Sequence, residues 1–61
     1  MKVGDLVRYR YPETDDEKAI GVVIGTTNHP GVFEILELTG PFIGQFQLDD
    51  NDLWEVISAS R

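Results

Sequence analysis

His29 is the single histidine and the one side chain whose ordinary pKa lies near neutrality, so proton transfer at physiological pH would have to run through it. No cysteine and no second histidine accompany it. It stands beside Pro30-Gly31, a pair typical of tight turns, and reads as an exposed turn residue. Asp49, Asp50, Asn51 and Asp52 offer hard oxygen ligands, and Asp15, Asp16 and Glu17 could add to them. Calcium takes about six to eight such oxygens. The spacing lacks the alternate ligands, central glycine and distal glutamate of an EF-hand loop, so the run reads as the solvated cap of a helical turn. No catalytic residue, metal or cofactor is expected.

The aromatic side chains are a second candidate. Tyr9, Tyr11, Phe33, Phe42, Phe46 and Trp54 are more than a very small core encloses, because tyrosine and tryptophan usually keep a polar edge in water. The phenylalanines are expected to be mainly core, while Tyr11 and Trp54 are the candidates for an accessible surface, against core or edge packing as the more ordinary fate of such rings. A partner-binding surface would draw on Tyr9, Tyr11, Phe33 and Trp54, since aromatic anchors are enriched at interfaces. Glu13, Asp15, Asp16 and Glu17 lie in a polar stretch opened by Pro12. Such a run is ordinarily a solvated loop; its sharper reading is a charge mimic that steers toward a basic groove.

Whatever positions these groups must be small. A chain of 61 residues with 41% hydrophobic content is read as one domain, residues 1–61, with barely enough apolar material for one core. Without cysteine there is no disulfide to reinforce it, which leaves a regular barrel or self-association. A net charge of −6 disfavours nucleic acid, whose binding relies on Lys and Arg displacing counterions, and opposes anionic membranes. Met1-Lys2-Val3-Gly4-Asp5 reaches aspartate before any apolar run, unlike a secretory leader. The expectation is a soluble protein that is not exported.

The apolar residues fall in short runs rich in Val, Ile and aromatics, each bounded by Gly, Pro, Asn or Asp, as strands demand. The pattern predicts strands over 6–11, with Val7 and Tyr9 inward, and over 19–26, where Gly21 and Gly25 mark bends. Residues 27–31 form a turn with Pro30-Gly31 at its centre. A third strand over 32–39 has a slipping alternation that calls for a bulge or for cover on both faces. The fourth, over 42–48, alternates most regularly, with Phe42, Phe46 and Leu48 on one side, Ile43, Gln45 and Gln47 on the other, and Gly44 marking a bend. A single 3₁₀ or helical turn near 49–52 precedes a short last strand over 53–57. Five short strands separated by one long loop and tight connections suggest an all-β, antiparallel small barrel.

The order of these elements resembles the SH3-like barrel. Lys2-Val3-Gly4-Asp5-Leu6-Val7 resembles the x-x-G-D-x-V start of many SH3-like modules, including tudor-type and ribosomal KOW-type domains. Asn51-Asp52-Leu53 resembles the S-x-N-Y-V end of true SH3 domains, with Asp52 in place of the tyrosine. That departure removes part of the polyproline groove the family would imply. Along its length, including Gly40-Pro41-Phe42-Ile43-Gly44-Gln45 and Leu53-Trp54-Glu55-Val56-Ile57, the chain is similar to small SH3-like proteins of marine tailed phages of the cyanophage kind. The resemblance implies a fold and a phage origin, with residence in the host cytoplasm or the virion, and no assigned biochemical role.

Together these readings lead to a non-catalytic protein-interaction or assembly module, with an unidentified protein partner and self-association both open. The alternatives are an acidic, nucleic-acid-mimicking inhibitor of a host protein and a KOW- or tudor-like nucleic-acid binder.

Overall fold

The computed structural model describes residues 1–13 and 18–60. Its strands are β1 (Leu6–Tyr9), β2 (Ile20–Thr26), β3 (Val32–Glu37), β4 (Phe46–Asp50) and β5 (Trp54–Ser58), with a 3₁₀ turn at Asn51–Leu53 between the last two. All pairs are antiparallel, in one five-stranded sheet of order β4-β3-β2-β1-β5. The all-β class, the five strands and the 3₁₀ turn before the last strand agree with the sequence reading.

The sheet is not closed into a barrel. β4 and β5 are its two ends and do not pair with one another, yet only the three-residue turn separates them in the chain. The sheet therefore curls until its ends meet at that corner. Two register shifts, between Val23 and Gly25 in β2 and between Leu6 and Val7 in β1, supply the kind of bend that bulges give. At the corner, side chains take the place of a backbone ladder: the Trp54 indole N–H donates to Asp49 Oδ2 at 3.1 Å.

Alternation along the strands sorts the inner face. Val7, Ala19, Val23, Ile35 and Trp54 are buried together, with Met1, Tyr9, Phe33 and Leu53 packed against them. The inward pair expected on β1, Val7 and Tyr9, is in place. Val23 and Ile35 lie directly opposite one another. The slip foreseen around β3 is accommodated in β2, and Phe33, Ile35 and Glu37 alternate regularly toward the inside.

Local chemistry fixes the connections. Pro30-Gly31 turns the chain with Gly31 at φ 79°, and Val32 N–H closes the turn on the His29 carbonyl at 3.1 Å, as a type II turn requires. At the start of the chain, Gly4 has φ 96°, and the buried Asp5 accepts hydrogen bonds from the backbone N–H of Lys2 at 2.9 Å and of Ser60 at 2.7 Å. One carboxylate thus ties both ends of the described chain to the same place.

The fourth strand departs most from expectation. It starts at Phe46, because residues 41–44 are a turn, with Gly44 at φ 81° and Gln45 N–H bonded to the Phe42 carbonyl at 3.0 Å. Phe42 consequently sits in an exposed turn, and Phe46 and Leu48 point outward, 63% and 65% exposed. Among the phenylalanines only Phe33 packs on the core. The polar side of the alternation faces in because it finds partners there: Gln47 Nε2 donates to Glu37 Oε2 at 3.1 Å, and Asp49 receives the Trp54 indole.

Candidate functional site

Each face of the sheet presents one distinctive surface. On the outer face the pairing register places Leu6 opposite Val22, Val22 opposite Leu36 and Leu36 opposite Phe46. These four form an apolar row across β1, β2, β3 and β4, extended by Leu48, which lies opposite Glu34. Glu34 and Asp50 share that face and give its β4 end an acidic border. Arg8 stands on the same face at the opposite end of the sheet, and its guanidinium is paired with Glu55 at 2.9 Å. A row of this kind on an edge strand is unusual, since exposed edges are normally blunted by charge or proline.

The inner face opens into a cleft of about 420 Å³ beside β4, with Tyr9, Phe42, Glu37, Gln47, Asp49 and Trp54 among its walls. Trp54 and Tyr9 meet edge to face at 5.5 Å between ring centroids. Glu37 is only 4% exposed. Burial pushes its carboxyl above the usual carboxylate range, and the nearby Asp49 charge pushes in the same direction. A second groove, of about 370 Å³, runs along β1 and β2 past Arg8, Arg10 and Lys18.

Of the four aromatics taken from the sequence, the structure brings Tyr9, Tyr11 and Trp54 together: Tyr9 also meets Tyr11 edge to face at 6.4 Å. Only Tyr11 is freely accessible, at 60% exposure, whereas Trp54 is 2% exposed. Trp54 is therefore a core residue whose polar edge is satisfied by Asp49, so of its two readings the structure shows core packing and not an accessible indole. Tyr9 and Phe33 are half-buried against the core, and Phe33 lies on β3, away from the tyrosine pair. Glu13 is exposed; Asp15, Asp16 and Glu17 lie outside the described residues.

His29 is exposed in its turn, where its backbone N–H donates to Thr27 Oγ1 at 3.1 Å. The acidic run at 49–52 does not converge on a point, because Asp49 is turned inward to Trp54 while Asp50 and Asp52 are exposed. Among the described residues no group of three metal-ligating side chains gathers, and no helix is long and apolar enough to cross a membrane.

Sequence reasoning missed Glu37 and the outward placement of Phe46 and Leu48. The alternation in β4 was visible, but alternation alone does not say which face is covered. A glutamate ending the run Val32-Phe33-Glu34-Ile35-Leu36-Glu37 carries no mark of burial either. Comparison with protein-family models, with curated proteins and with solved structures finds no match.

Proposed function

We propose that the chain is a non-catalytic protein-interaction or assembly module of SH3-like kind that docks a partner protein on the outer face of its sheet. The observation that carries this reading is the exposure of Phe46 and Leu48 on an edge strand, continuous with the in-register row of Leu6, Val22 and Leu36. Contiguous apolar surface in contact with water is characteristic of interaction sites, and the unpaired edge of β4 could also accept an added strand. The strand order and the 3₁₀ turn before β5 support the SH3-like assignment. The resemblance to small phage proteins supports a role in the host cytoplasm or the virion.

The partner that fits is a protein with apolar side chains bordered by lysine or arginine. A second copy would bring another −6 charge against Glu34 and Asp50, whereas a basic border complements them. The test is affinity capture from host lysate at low and high salt, with Phe46→Ser beside the wild type, and light scattering of the free protein. A basic partner retained at high salt and lost with Phe46→Ser supports docking through the apolar row. Partners released by salt and indifferent to the substitution would favour nucleic-acid mimicry instead. A concentration-dependent dimer abolished by Phe46→Ser would replace the foreign partner with a second copy.

A further inference from the structure

The inner cleft presents an electrostatic imbalance that the described chain does not itself resolve. Glu37 and Asp49 both line it, and no lysine, arginine or histidine does so among the described residues. Among the described residues Gln47 Nε2 is the one side-chain donor to Glu37, on Oε2. No buried side-chain oxygen is left without a partner among the described residues, so the other carboxylate oxygen of this nearly buried side chain, for which no described side chain is a donor, keeps some contact with solvent, and Glu37 lines the cleft. Asp49 likewise gives one oxygen, Oδ2, to the Trp54 indole and keeps Oδ1. The Gln47 amide, having turned its nitrogen to Glu37, has its carbonyl oxygen to offer. The site is rich in acceptors and carries net negative charge.

The remaining walls define what kind of cation would fit. Tyr9, Phe42 and Trp54 provide apolar and aromatic surface, which suits a hydrocarbon stem and favours a cation through the ring quadrupoles. A hard divalent metal fits poorly, because calcium wants about six to eight oxygens and magnesium a near-ideal octahedron, while one oxygen of each carboxylate is already engaged. The cleft also has room for several heavy atoms.

We infer that the cleft between β4 and the Tyr9–Trp54 pair binds an organic cation with N–H donors on an aliphatic stem, the end of a lysine or arginine side chain. Its N–H groups donate to the free oxygens of Glu37 and Asp49, and its stem lies against Tyr9 and Phe42. A bound cation offsets both the burial of Glu37 and its repulsion by Asp49. This site is on the opposite face from the apolar row and does not depend on the docking reading.

The Trp54 indole N–H, bonded to Asp49 at the cleft wall, is a built-in reporter. The ¹H–¹⁵N spectrum of the intact protein is titrated with n-butylammonium and n-butylguanidinium chloride, and at matched ionic strength with tetramethylammonium, sodium and calcium chloride. A saturable shift of the indole signal with either butyl cation, weakened at least about tenfold by Glu37→Gln through loss of a charge-assisted hydrogen bond, supports the site. Asp49→Asn, which keeps an acceptor for the indole, is the second variant should Glu37→Gln not fold; it too should weaken binding. Equal response to tetramethylammonium or sodium, saturation by calcium alone, or affinity unchanged in the folded carboxamide variants would overturn the inference. Phe46→Ser should leave the butyl-cation titration unchanged.

Discussion

Trp54 and Asp49 join the two unpaired ends of the sheet: the indole N–H of the first residue of β5 donates to a carboxylate oxygen of β4 at 3.1 Å. The bond settles the one polar atom of the largest fully buried side chain and turns β4 so that Asp49 faces in and Leu48 faces out. Removing the acceptor should leave that donor stranded at the corner. Asp49→Ala is expected to cost about 1–3 kcal/mol, the usual penalty for an unsatisfied buried donor, and Asp49→Asn less. Urea unfolding followed by Trp54 fluorescence measures both; equal stability of Asp49→Ala and wild type would deny the bond its role.

Gly21 lies opposite Glu37 and Val7, where a methyl group would stand 2.7 Å from Ile35 Cγ2 and 2.9 Å from the Leu36 carbonyl oxygen. The backbone oxygen cannot swing aside as a side chain could. Gly21→Ala is expected to destabilise by about 1–3 kcal/mol through overpacking, although alanine normally suits a strand better than glycine does. Thermal denaturation decides the sign.

The two faces of the sheet should respond oppositely to truncation. Ile35→Ala removes a fully buried side chain and is expected to cost about 2–5 kcal/mol. Phe46→Ser removes a larger side chain from solvent and is expected to stay within about 1 kcal/mol of wild type, while abolishing partner capture. A large loss of stability with Phe46→Ser would mean that the outer row packs within the monomer and is no docking surface.

Two carboxyls pull the pH dependence of stability in opposite directions. Glu37 is held above its ordinary 4.5 by burial and then by Asp49, so the fold favours its neutral form. Its contribution is complete below that value and is lost as pH rises through the higher folded pKa. Asp5 is held below its ordinary 3.8, first by the Ser60 N–H and then by that of Lys2; its contribution is present above that value and is lost as pH falls through the lower folded pKa. Melting temperature should therefore rise on acidification from about pH 7 toward 4.5 and fall again below 3.8. Glu37→Gln should flatten the upper limb and leave the lower one intact. Parallel profiles for the two proteins above 4.5 would contradict this.

The elements that the sequence revealed are those governed by local chemistry. Pro30-Gly31 set a turn because proline and glycine meet its backbone demands without help from elsewhere, and Val7 with Tyr9 declared an inner face by simple alternation. Gly4-Asp5 stood out as part of the x-x-G-D-x-V start, but the hydrogen bond from Ser60 to Asp5 spans 55 positions and leaves no trace in spacing. In β4 the period was legible and the covered face was not, since Gln47 and Asp49 turn inward only because Glu37 and Trp54 wait there. Trp54 allowed both a surface and a core reading for the same reason: an indole needs water only where no protein acceptor is supplied, and Asp49 supplies one. The cleft depends on such meetings between strands, and on that of Tyr9 with Trp54 from distant parts of the chain.

The sheet order has a consequence for how the chain acquires its structure. β1 to β4 pair in chain order with short sequence separation, but the other edge of β1 must wait for β5, where Arg8 meets Glu55 across 47 positions. Closing so wide a loop is entropically costly and slows folding. Trp54 also follows all four earlier strands in the chain, so they leave the ribosome before the largest piece of their interior. Assembly should then be a single cooperative event that begins only when the last strand is available, and a nascent fragment ending before β5 should gain no lasting protection from proteolysis.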